Sequence, residues 1–339
     1  MGIKSRTFFL ITLAVLVGIT TGCGNPGQIA KQDAPVSLIF DSDFGPDYDD
    51  VGALAILHAM ADRGEVEILA TIASTTHSNV APALDVVNTY FQRPDIPIAI
   101  PTINGRDIGD PQHWSDAIIA KYPHDIKSNS QAESATNLYR RLLASSPDNS
   151  VTIVTVGFLT NMVNLLKSQP DQYSKLNGAD LVKKKVKQLV SMAGKFPEGK
   201  EYNLYIDVKA SEFTFENWPG DVVYSGFEIG VKIKTGIPLI NNELITSNPV
   251  KDVYRIGIAN GRRDKNGRSS WDQTAVLAAV RGPRPYFTLN EGRIIVNDDG
   301  SNKWDNNAAG QYYLVFDLPP AEVKKEINEL MMHVPTVRK

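Results

Sequence analysis

The chain has 339 residues, of which 42% are hydrophobic and 22% are charged, a composition typical of globular proteins. This length fits one large or two ordinary domains, and the net charge of −3 gives no reason to expect a nucleic acid or an anionic membrane surface as a partner. Cys23 is the only cysteine, so an internal disulfide is excluded.

The N-terminal segment has the composition of an export signal. A basic start is followed by an apolar run over 8–19 and by small residues up to Cys23, the order typical of a secretory signal peptide at 1–22. The stretch ITTGC resembles a bacterial lipoprotein processing site, although Thr20 stands where leucine is usual. We expect an exported protein, periplasmic or anchored in a membrane through a lipid on Cys23, with 23–34 as a flexible tether. The alternative is an ordinary signal peptide with an incidental cysteine.

Short apolar runs that predict strands alternate with amphipathic runs that predict helices. Strands are predicted at 36–40, 66–73, 96–100, 151–156, 186–193, 222–226 and 231–235. Helices are predicted at 50–61, 81–91, 130–145, 159–166, 211–218, 269–282 and 319–334. A hairpin is predicted within 286–304, and a long polar loop is predicted around His113 and Trp114.

This alternation predicts an α/β fold with an open, mainly parallel, Rossmann-like sheet and helices on both faces. No shift in composition marks a boundary, so 35–339 is predicted to form a single domain. Ligands of such sheets bind beyond the carboxyl ends of the strands. Four polar segments follow predicted strands, at 41–50, 77–79, 155–161 and 192–196. We expect all four on one rim of the sheet.

The first of these segments, DSDFGPDYDD, contains Asp41, Asp43, Asp47, Asp49 and Asp50. Carboxylates this close repel one another unless something offsets their charge. Capping of the following helix accounts for one or two of them, and a solvated acidic loop is the simplest alternative. Because the first two continue an apolar strand, a bound divalent cation explains the crowding better. Calcium accepts many oxygen ligands, whereas the sequence offers no cluster of histidine and cysteine for zinc.

The same segment resembles the D-x-D-x-G-x-D-D fingerprint of the inosine–uridine-preferring nucleoside hydrolase family, with two extra residues, Asp47 and Tyr48, before the aspartate pair. Three more segments resemble family motifs in the same order: TIVTVGFLTN, MAGKFPEGKEYN and SSWDQTAVL. The resemblance runs from about Val36 to about Arg281. The chain is therefore identified as a lipoprotein-like member of this family, and the resemblance implies the family's fold and activity.

The family binds one calcium ion and hydrolyses the N-glycosidic bond of ribonucleosides, which gives ribose and a free base. The resemblance implies four metal ligands, namely the carboxylates of Asp43, Asp50 and Asp272 and the backbone carbonyl of Val156. Asp43 would also be the general base for a metal-bound water. Asp47 competes with Asp49 and Asp50 for alignment with the family's aspartate pair, so the identity of one ligand stays open.

Six positions align with family positions that contact the substrate and are predicted to bind it: Asp49, Asn79, Met192, Glu201, Asn203 and Trp271. Several also have a simpler structural explanation. Asn79 and Asp272 could cap helices, Met192 could belong to the core, and the pair at 201 and 203 could lie on a solvated turn. A site that hydrogen-bonds sugar hydroxyls rejects a sugar that lacks them, so 2′-deoxyribosides are predicted to react poorly.

Trp271 departs from the family pattern, in which a histidine precedes the metal-binding aspartate and is thought to protonate the leaving base. An indole N–H donates a hydrogen bond but does not release a proton at neutral pH, whereas its ring can stack on a base. Three explanations stay open. Another acid (His77, Tyr48 or Tyr202) serves, stacking activates the base, or the substrate has a leaving group, such as nicotinamide, that needs no protonation.

The leading prediction is a calcium-dependent riboside hydrolase that acts outside the cytoplasm. The alternative is a catalytically weakened riboside-binding lipoprotein on the same fold. A phosphatase built on the D-x-D pair is disfavoured because Asp49 and Asp50 would repel a phosphate. The resemblance also implies a homo-oligomer, either a dimer or a tetramer, and the sequence leaves the preferred base open.

Overall fold

The computed structural model describes residues 1–2 and 34–335. The rest of the predicted signal peptide, Cys23 and nearly all of the predicted tether lie outside the described residues. Within the described part of the chain, no helix is long and apolar enough to cross a membrane.

The β-strands of the described residues are Val36–Ser42 (β1), Val66–Ala73 (β2), Ile98–Ile100 (β3), Glu133–Ser134 (β4), Val151–Thr155 (β5), Val186–Ser191 (β6), Glu198–Lys200 (β7), Val222–Tyr224 (β8), Lys234–Thr235 (β9), Arg268–Ser269 (β10), Phe287–Val296 (β11), Ser301–Asp305 (β12) and Gln311–Phe316 (β13). The α-helices are Asp49–Asp62 (α1), Val80–Tyr90 (α2), Trp114–Lys121 (α3), Ala135–Ser145 (α4), Thr160–Lys167 (α5), Gly178–Lys185 (α6), Tyr202–Ile206 (α7), Val208–Asn217 (α8), Phe227–Gly230 (α9), Ile237–Asn241 (α10), Pro249–Asn260 (α11), Trp271–Arg281 (α12) and Pro320–Met331 (α13).

Eleven of these strands form one sheet, in the order β4-β3-β2-β1-β5-β6-β8-β13-β11-β12-β7. Neighbours from β4 to β13 in this order are parallel. The remaining strands, β11, β12 and β7, pair antiparallel and extend one edge. β9 and β10 form a separate antiparallel pair. The prediction of an open, mainly parallel sheet is confirmed.

Both faces of the sheet are covered. Leu38 and Phe40 of β1 point into a core formed with α1, α2, α11, α12 and α13, whereas Ile39 points into a second core formed with α4, α5, α6 and α8. A strand buried on both faces reads as a continuous apolar run, which is why β1 could be recognised from the sequence. Helices on both faces, as predicted, are confirmed.

Helix α1 is buried from Asp49 to Met60 because it packs against β2, α11, α12 and α13. It therefore has apolar side chains on nearly every face rather than along one stripe. Its first turn lies a few residues beyond the end of β1. The burial of α1 thus places Asp49 and Asp50 at the carboxyl rim of the sheet.

The predicted polar loop around His113 and Trp114 is wrong. Trp114 begins α3, is fully buried, and packs edge-on against Phe44 with ring centroids 5.7 Å apart. Helix α3 has eight residues, of which three are buried, so it is too short to show a clear helical pattern of apolar residues in the sequence. The polar residues around Trp114 led to the prediction of a loop.

Other differences concern element ends. The helix predicted from 130 begins at Ala135, because Asn129–Gln131 forms a 3₁₀ turn closed by a capping box from Ser128. The strand predicted at 231–235 is shorter in the structure, where β9 is Lys234–Thr235.

Helices α6 and α11 were not predicted. Both begin with an asparagine N-cap whose side chain accepts a backbone N–H, a signal that could have located them.

Candidate active site

A cavity of about 300 Å³ lies at the carboxyl ends of β1, β5 and β6. This volume is at the lower end of the range for small-molecule sites, about 300–1,000 Å³. Its lining contains acidic residues and a set of rings, called the aromatic group below (Tyr202, Tyr205, Phe227 and Trp271). The other lining residues are Asp43, Asp47, Asp49, Val156, Met192, Lys200, Glu201, Asn203, Arg268 and Asp272.

Four aspartates, called the acid cluster below, have carboxylate oxygens within 4.8 Å of one another: Asp47, Asp49, Asp50 and Asp272. Asp49 and Asp50 lie in the first turn of α1, and Asp272 lies in the first turn of α12, which packs against α1. Helix N-termini carry partial positive charge and stabilise nearby carboxylates. Two helices starting side by side therefore explain the position of three of the four acids.

The helix termini do not offset all of this charge. Asp43 directly follows β1 and its carboxyl group contacts that of Asp50. Burial, reinforced by neighbouring carboxylates, raises the pKa of Asp43 and of Asp272 well above the usual range. Burial, followed by the charge of Asp47, raises the pKa of Asp50 to about 7. Asp43, Asp50 and Asp272 are therefore all ionised at neutral pH only when a further cation joins them.

The residues fit a hard divalent cation. Oδ2 of Asp50 is buried and accepts no hydrogen bond from the described residues, although Oδ1 accepts one from Ser42 at 2.5 Å. Its neighbour Asp43 can donate to it only when protonated. Buried polar atoms are nearly always partnered, and carboxylate oxygens are what calcium and magnesium prefer. No histidine or cysteine is found among the described residues that line the cavity.

Val156 lies where β5 ends beside β1, and its N–H donates to the carbonyl of Asp41 at 2.8 Å. A Cβ atom on Gly157 would lie 2.3 Å from the backbone nitrogen of Asp43. Only glycine allows the two strand ends to approach this closely. Val156, a predicted ligand through its carbonyl, thus lines the cavity with Asp43.

Asp41 stabilises the strand ends that carry the site and does not line the cavity. It is fully buried and accepts hydrogen bonds from Tyr139 at 2.8 Å and from the Asn161 amide at 3.0 Å. The same amide also donates to the carbonyl of Ala73 at 2.8 Å, at the end of β2. Burial raises the pKa of Asp41 to about 7. Asp41 therefore ties the ends of β1 and β2 to α4 and α5 rather than facing the substrate.

Met192, Glu201 and Asn203 line the cavity together. Glu201 is 4% exposed and caps α7, accepting the backbone N–H of Asn203 at 2.8 Å and that of Leu204 at 3.2 Å. It also accepts the N–H of Gly194 at 3.0 Å. The Asn203 amide donates to the carbonyl of Met192 at 3.1 Å. A solvated turn is therefore excluded, and these polar groups form a rigid frame.

Asn79 is not among the residues that line the cavity. Its amide donates to Asp116 of α3 at 2.6 Å, and it precedes α2 without a capping hydrogen bond from its side chain. The predicted contact with sugar would require this side chain to leave Asp116. His77, an acid considered from the sequence, also lies outside the lining, with Nδ1 3.9 Å from Asp107.

Trp271 contributes its ring to the cavity rather than its N–H. Nε1 donates to the carbonyl of Phe227 at 2.9 Å, and the two rings lie 5.3 Å apart with a tilt of 30°. Tyr202 and Tyr205 meet edge-on at 5.4 Å. Burial raises the pKa of Tyr202 to about 12, so its phenol is protonated at neutral pH. Of the three acids considered from the sequence, Tyr202 is the one in the lining.

We predict that the size of the ring at position 271, not its N–H, controls activity. Trp271→Ala should lower kcat/KM for a nucleoside by about 10- to 100-fold, since stacking a base on an aromatic side chain contributes about 1–3 kcal/mol. Trp271→Phe should retain most of the activity. Steady-state kinetics of both variants test this, and equal losses would contradict it.

Arg268 and Lys200 are cations in the lining that sequence analysis missed. Arg268 ends up in the site because β10 runs directly into α12, three residues before Trp271. A lone arginine in a polar loop has no periodicity or motif around it. Its three-residue distance from the W-D pair was the only available signal.

The raised carboxyl pKa values predict a stability that depends on pH. Asp41, Asp50 and Glu201 have folded-state pKa values of about 7, above ordinary values of 3.8, 3.8 and 4.5. Between about pH 4 and about pH 7 these three groups hold more protons in the folded protein than in the unfolded chain, and together they outweigh His58, whose pKa is lowered to about 3 by burial. The free energy of unfolding of the metal-free protein should fall as the pH rises through this window.

Urea unfolding in the presence of a chelator, at about pH 5 and about pH 8, measures this free energy on both sides of the window. Calcium should reduce the difference between the two values. A metal-free protein that becomes more stable at the higher pH would contradict the prediction.

The fold and the cavity define the class of protein. Buried carboxylates and stacking rings meet at the carboxyl rim of a parallel sheet, an arrangement suited to the cleavage of a glycosidic bond. The family model described as "Inosine-uridine preferring nucleoside hydrolase" matches residues 38–318. The chain belongs to this family and is an N-glycosidic hydrolase.

Similar proteins agree with this family. The chain is 27% identical over 230 residues to the "Pyrimidine-specific ribonucleoside hydrolase RihA" of Salmonella agona, covering 64% of this chain and 68% of the relative. Its fold is similar to that of a purine-preferring ribonucleoside hydrolase from Gardnerella vaginalis, with a TM-score of 0.68, 18% identity, and coverage of 87% and 99% of the two chains. The fold is also similar to that of an inosine-uridine preferring nucleoside hydrolase from Bacillus anthracis, with a TM-score of 0.66 and 15% identity. This match covers 88% of this chain and 99% of the Bacillus protein.

Proposed function

We propose that this protein is a calcium-dependent hydrolase that cleaves ribonucleosides, or a related riboside, to ribose and a free base. The observation that carries the proposal is the acid cluster, with an unpartnered buried oxygen on Asp50, beside the same cavity as the aromatic group. The ion would be held by the carboxylates of Asp43, Asp50 and Asp272 and by the carbonyl of Val156.

A calcium ion bound there would supply positive charge that polarises a water and orients the ribose diol. Asp43 is the proposed general base, because its carboxyl group is buried in the lining beside Asp50, where in its ionised form it could accept a proton from the attacking water. Asp49 is held in place by the backbone N–H of Trp271, which donates to its Oδ2 at 3.1 Å. Together with Glu201 and Asn203, it would orient the sugar.

Cleavage of the N-glycosidic bond builds positive charge on the ribose ring. The carboxylates in the lining are fixed before the reaction and favour that charge where it develops. On the leaving-group side, the aromatic group can stack on a flat base, and the protonated phenol of Tyr202 is available as a hydrogen-bond donor. This arrangement replaces the protonating histidine that resemblance to the family led us to expect at Trp271.

The place of action is a proposal as well. The export signal at 1–22 supports a protein outside the cytoplasm, held at a membrane by a lipid on Cys23 or free in the periplasm. Cys23→Ser would move a lipid-anchored protein from the membrane fraction to the soluble fraction. The proposed dimer or tetramer is tested by the mass of the purified protein in solution.

The deciding experiment is a panel of purine and pyrimidine ribonucleosides together with nicotinamide riboside, with free ribose measured. Relatives are named for both purine and pyrimidine substrates, so both classes belong in the panel. Activity that is lost with a chelator and restored by calcium supports the proposal. Ribose release that is unaffected by thorough chelation would contradict the metal dependence.

The second candidate is a protein that binds ribosides without hydrolysing them. The observation that favours it is that the indole N–H of Trp271 already donates to the carbonyl of Phe227, so it is not available to the leaving base. The substrate p-nitrophenyl riboside separates the two, because its leaving group departs without protonation. Hydrolysis of this compound excludes simple binding. Tight binding of ribosides without release of ribose from any of them would favour the binding protein.

A further inference from the structure

Arg268 places a guanidinium among the carboxylates of the cavity. Its side chain is 14% exposed and lines the cavity with Asp47, Asp49 and Asp272. A cation in that position opposes the binding of a second cation and pairs with acids that could otherwise be ligands. Its contacts therefore bear on which carboxylates are available to a metal.

Arg268 holds Asp49 and Asp47 directly. Its Nε donates to Oδ1 of Asp49 at 2.8 Å, and its Nη2 lies 2.8 Å from the same oxygen. Nη2 also forms an ion pair with Oδ2 of Asp47. Since the other oxygen of Asp49 accepts the backbone N–H of Trp271, both of its oxygens are occupied by protein groups.

Two rings fix the guanidinium in this position. Its central carbon lies 5.2 Å from the ring centroid of Tyr48 and 5.1 Å from that of Trp271. Such contacts restrict the rotation of the side chain as well as stabilising its charge. The Tyr48 hydroxyl donates to Asp264 at 2.8 Å, and Nη1 of Arg268 lies 3.7 Å from the same carboxylate.

The sequence and these contacts indicate that Asp47, Tyr48 and Arg268 act together as one structural unit. Asp47 and Tyr48 are the two residues that separate DSDFGPDYDD from the D-x-D-x-G-x-D-D spacing, and both contact Arg268. Tyr48 is wedged against α11, where a Cβ atom on Gly257 would lie 2.5 Å from its ring. The extra residues and the arginine therefore form a single feature of this chain.

We propose that Arg268 is an internal counter-ion that keeps Asp47 and Asp49 out of the coordination shell of the metal. The metal is left with Asp43, Asp50 and Asp272 as its carboxylate ligands, and Asp49 is fixed for contact with the sugar. The inference rests on the proposed function, since it assumes a divalent cation bound by Asp43, Asp50 and Asp272. It identifies Arg268 as a positioning residue that also sets the affinity for the cation.

The test is calcium binding to the metal-free protein, measured by titration calorimetry without any substrate. Arg268→Gln removes the positive charge and releases two carboxylates, so the Kd for calcium should fall by about tenfold or more. Arg268→Lys keeps a point charge without the two-pronged geometry and should give an intermediate Kd. The rise in melting temperature on adding calcium should follow the same order.

Arg281 offers a matched control. Its side chain is 8% exposed and bridges Glu65 and Glu326, with both distances 2.7 Å, and it is not in the lining of the cavity. Arg281→Gln should lower the melting temperature about equally with and without calcium. The Kd of the Arg281→Gln variant for calcium should match that of the unmodified protein.

Two aspartate variants give a second, independent measurement. Asp50→Asn should weaken calcium binding strongly, whereas Asp47→Asn should change it far less, because Asp47 is committed to Arg268. This comparison tests whether Asp47 lies outside the coordination shell of the metal even if Arg268→Gln does not fold.

An Arg268→Gln protein that binds calcium no more tightly than the unmodified protein would overturn the inference, as would equal effects of the two aspartate variants. In both cases calcium binding by the unmodified protein would leave the proposed function standing. If the unmodified protein and all variants bind no calcium, the proposed function itself fails.

Discussion

Asp43→Asn should lower kcat for ribonucleoside hydrolysis by about 10²- to 10⁴-fold, the usual contribution of a positioned general base. Asparagine has nearly the same shape as aspartate but cannot accept a proton from the attacking water. Because Asp43 is also a proposed metal ligand, the assay uses saturating calcium, and under this condition KM should change less than kcat. Single-turnover and steady-state release of ribose measure the effect.

The folded state should tolerate this change well. Burial and the nearby carboxylates raise the pKa of Asp43, so a neutral side chain removes repulsion and the metal-free variant should melt no lower than the unmodified protein. Asp85→Asn is a suitable control, because Asp85 is 1% exposed, accepts two backbone N–H groups and lies outside the lining. Normal turnover by Asp43→Asn would contradict the assignment of the base.

The second large effect concerns the sugar. For 2′-deoxyuridine, kcat/KM should be roughly 10⁴-fold lower than for uridine, because a site built to bind a hydroxyl is left with unpaired polar groups when the hydroxyl is missing. Asp49 is 1% exposed and Asn203 is 6% exposed, so water replaces a lost sugar contact poorly. Release of ribose and of deoxyribose from the two substrates gives the comparison.

A change on the base serves as the control for this experiment. 5-Methyluridine differs from uridine by one methyl group on the ring that would face the aromatic group. A methyl group alters discrimination by about 10- to 200-fold at most. Similar kcat/KM values for uridine and 2′-deoxyuridine would contradict the proposed sugar contacts.

The parts of the fold that were predictable are those in which local pattern and tertiary burial agree. The strand at 66–73 was predicted with its observed bounds, and 36–40 lies within β1, because strands covered on both faces are mostly apolar. The acids that gather at the rim were predictable for a related reason. Asp43 follows an apolar strand directly, and the carboxyl ends of parallel strands meet at one edge.

The remaining parts depend on contacts between distant segments, which a single sequence does not display. Trp114 is buried because Phe44, 70 positions earlier, packs against its ring. Arg268 pairs with Asp49 across 219 positions. Asn79 matched a family position, but its partner, Asp116, lies in a helix that was not predicted.

The antiparallel edge of the sheet has a consequence for how this enzyme can diversify. β7, which pairs with β12 at the far end of the sheet, carries Lys200 and leads directly into Glu201 and Tyr202. The acids proposed to hold the ion, in contrast, lie just after β1 and in the first turns of α1 and α12. Insertions or sequence drift in the β11–β12 hairpin would act on the segment that carries Tyr202 of the aromatic group, while the positions of those acids would stay unchanged. Base preference can therefore evolve separately from the acids proposed to hold the ion.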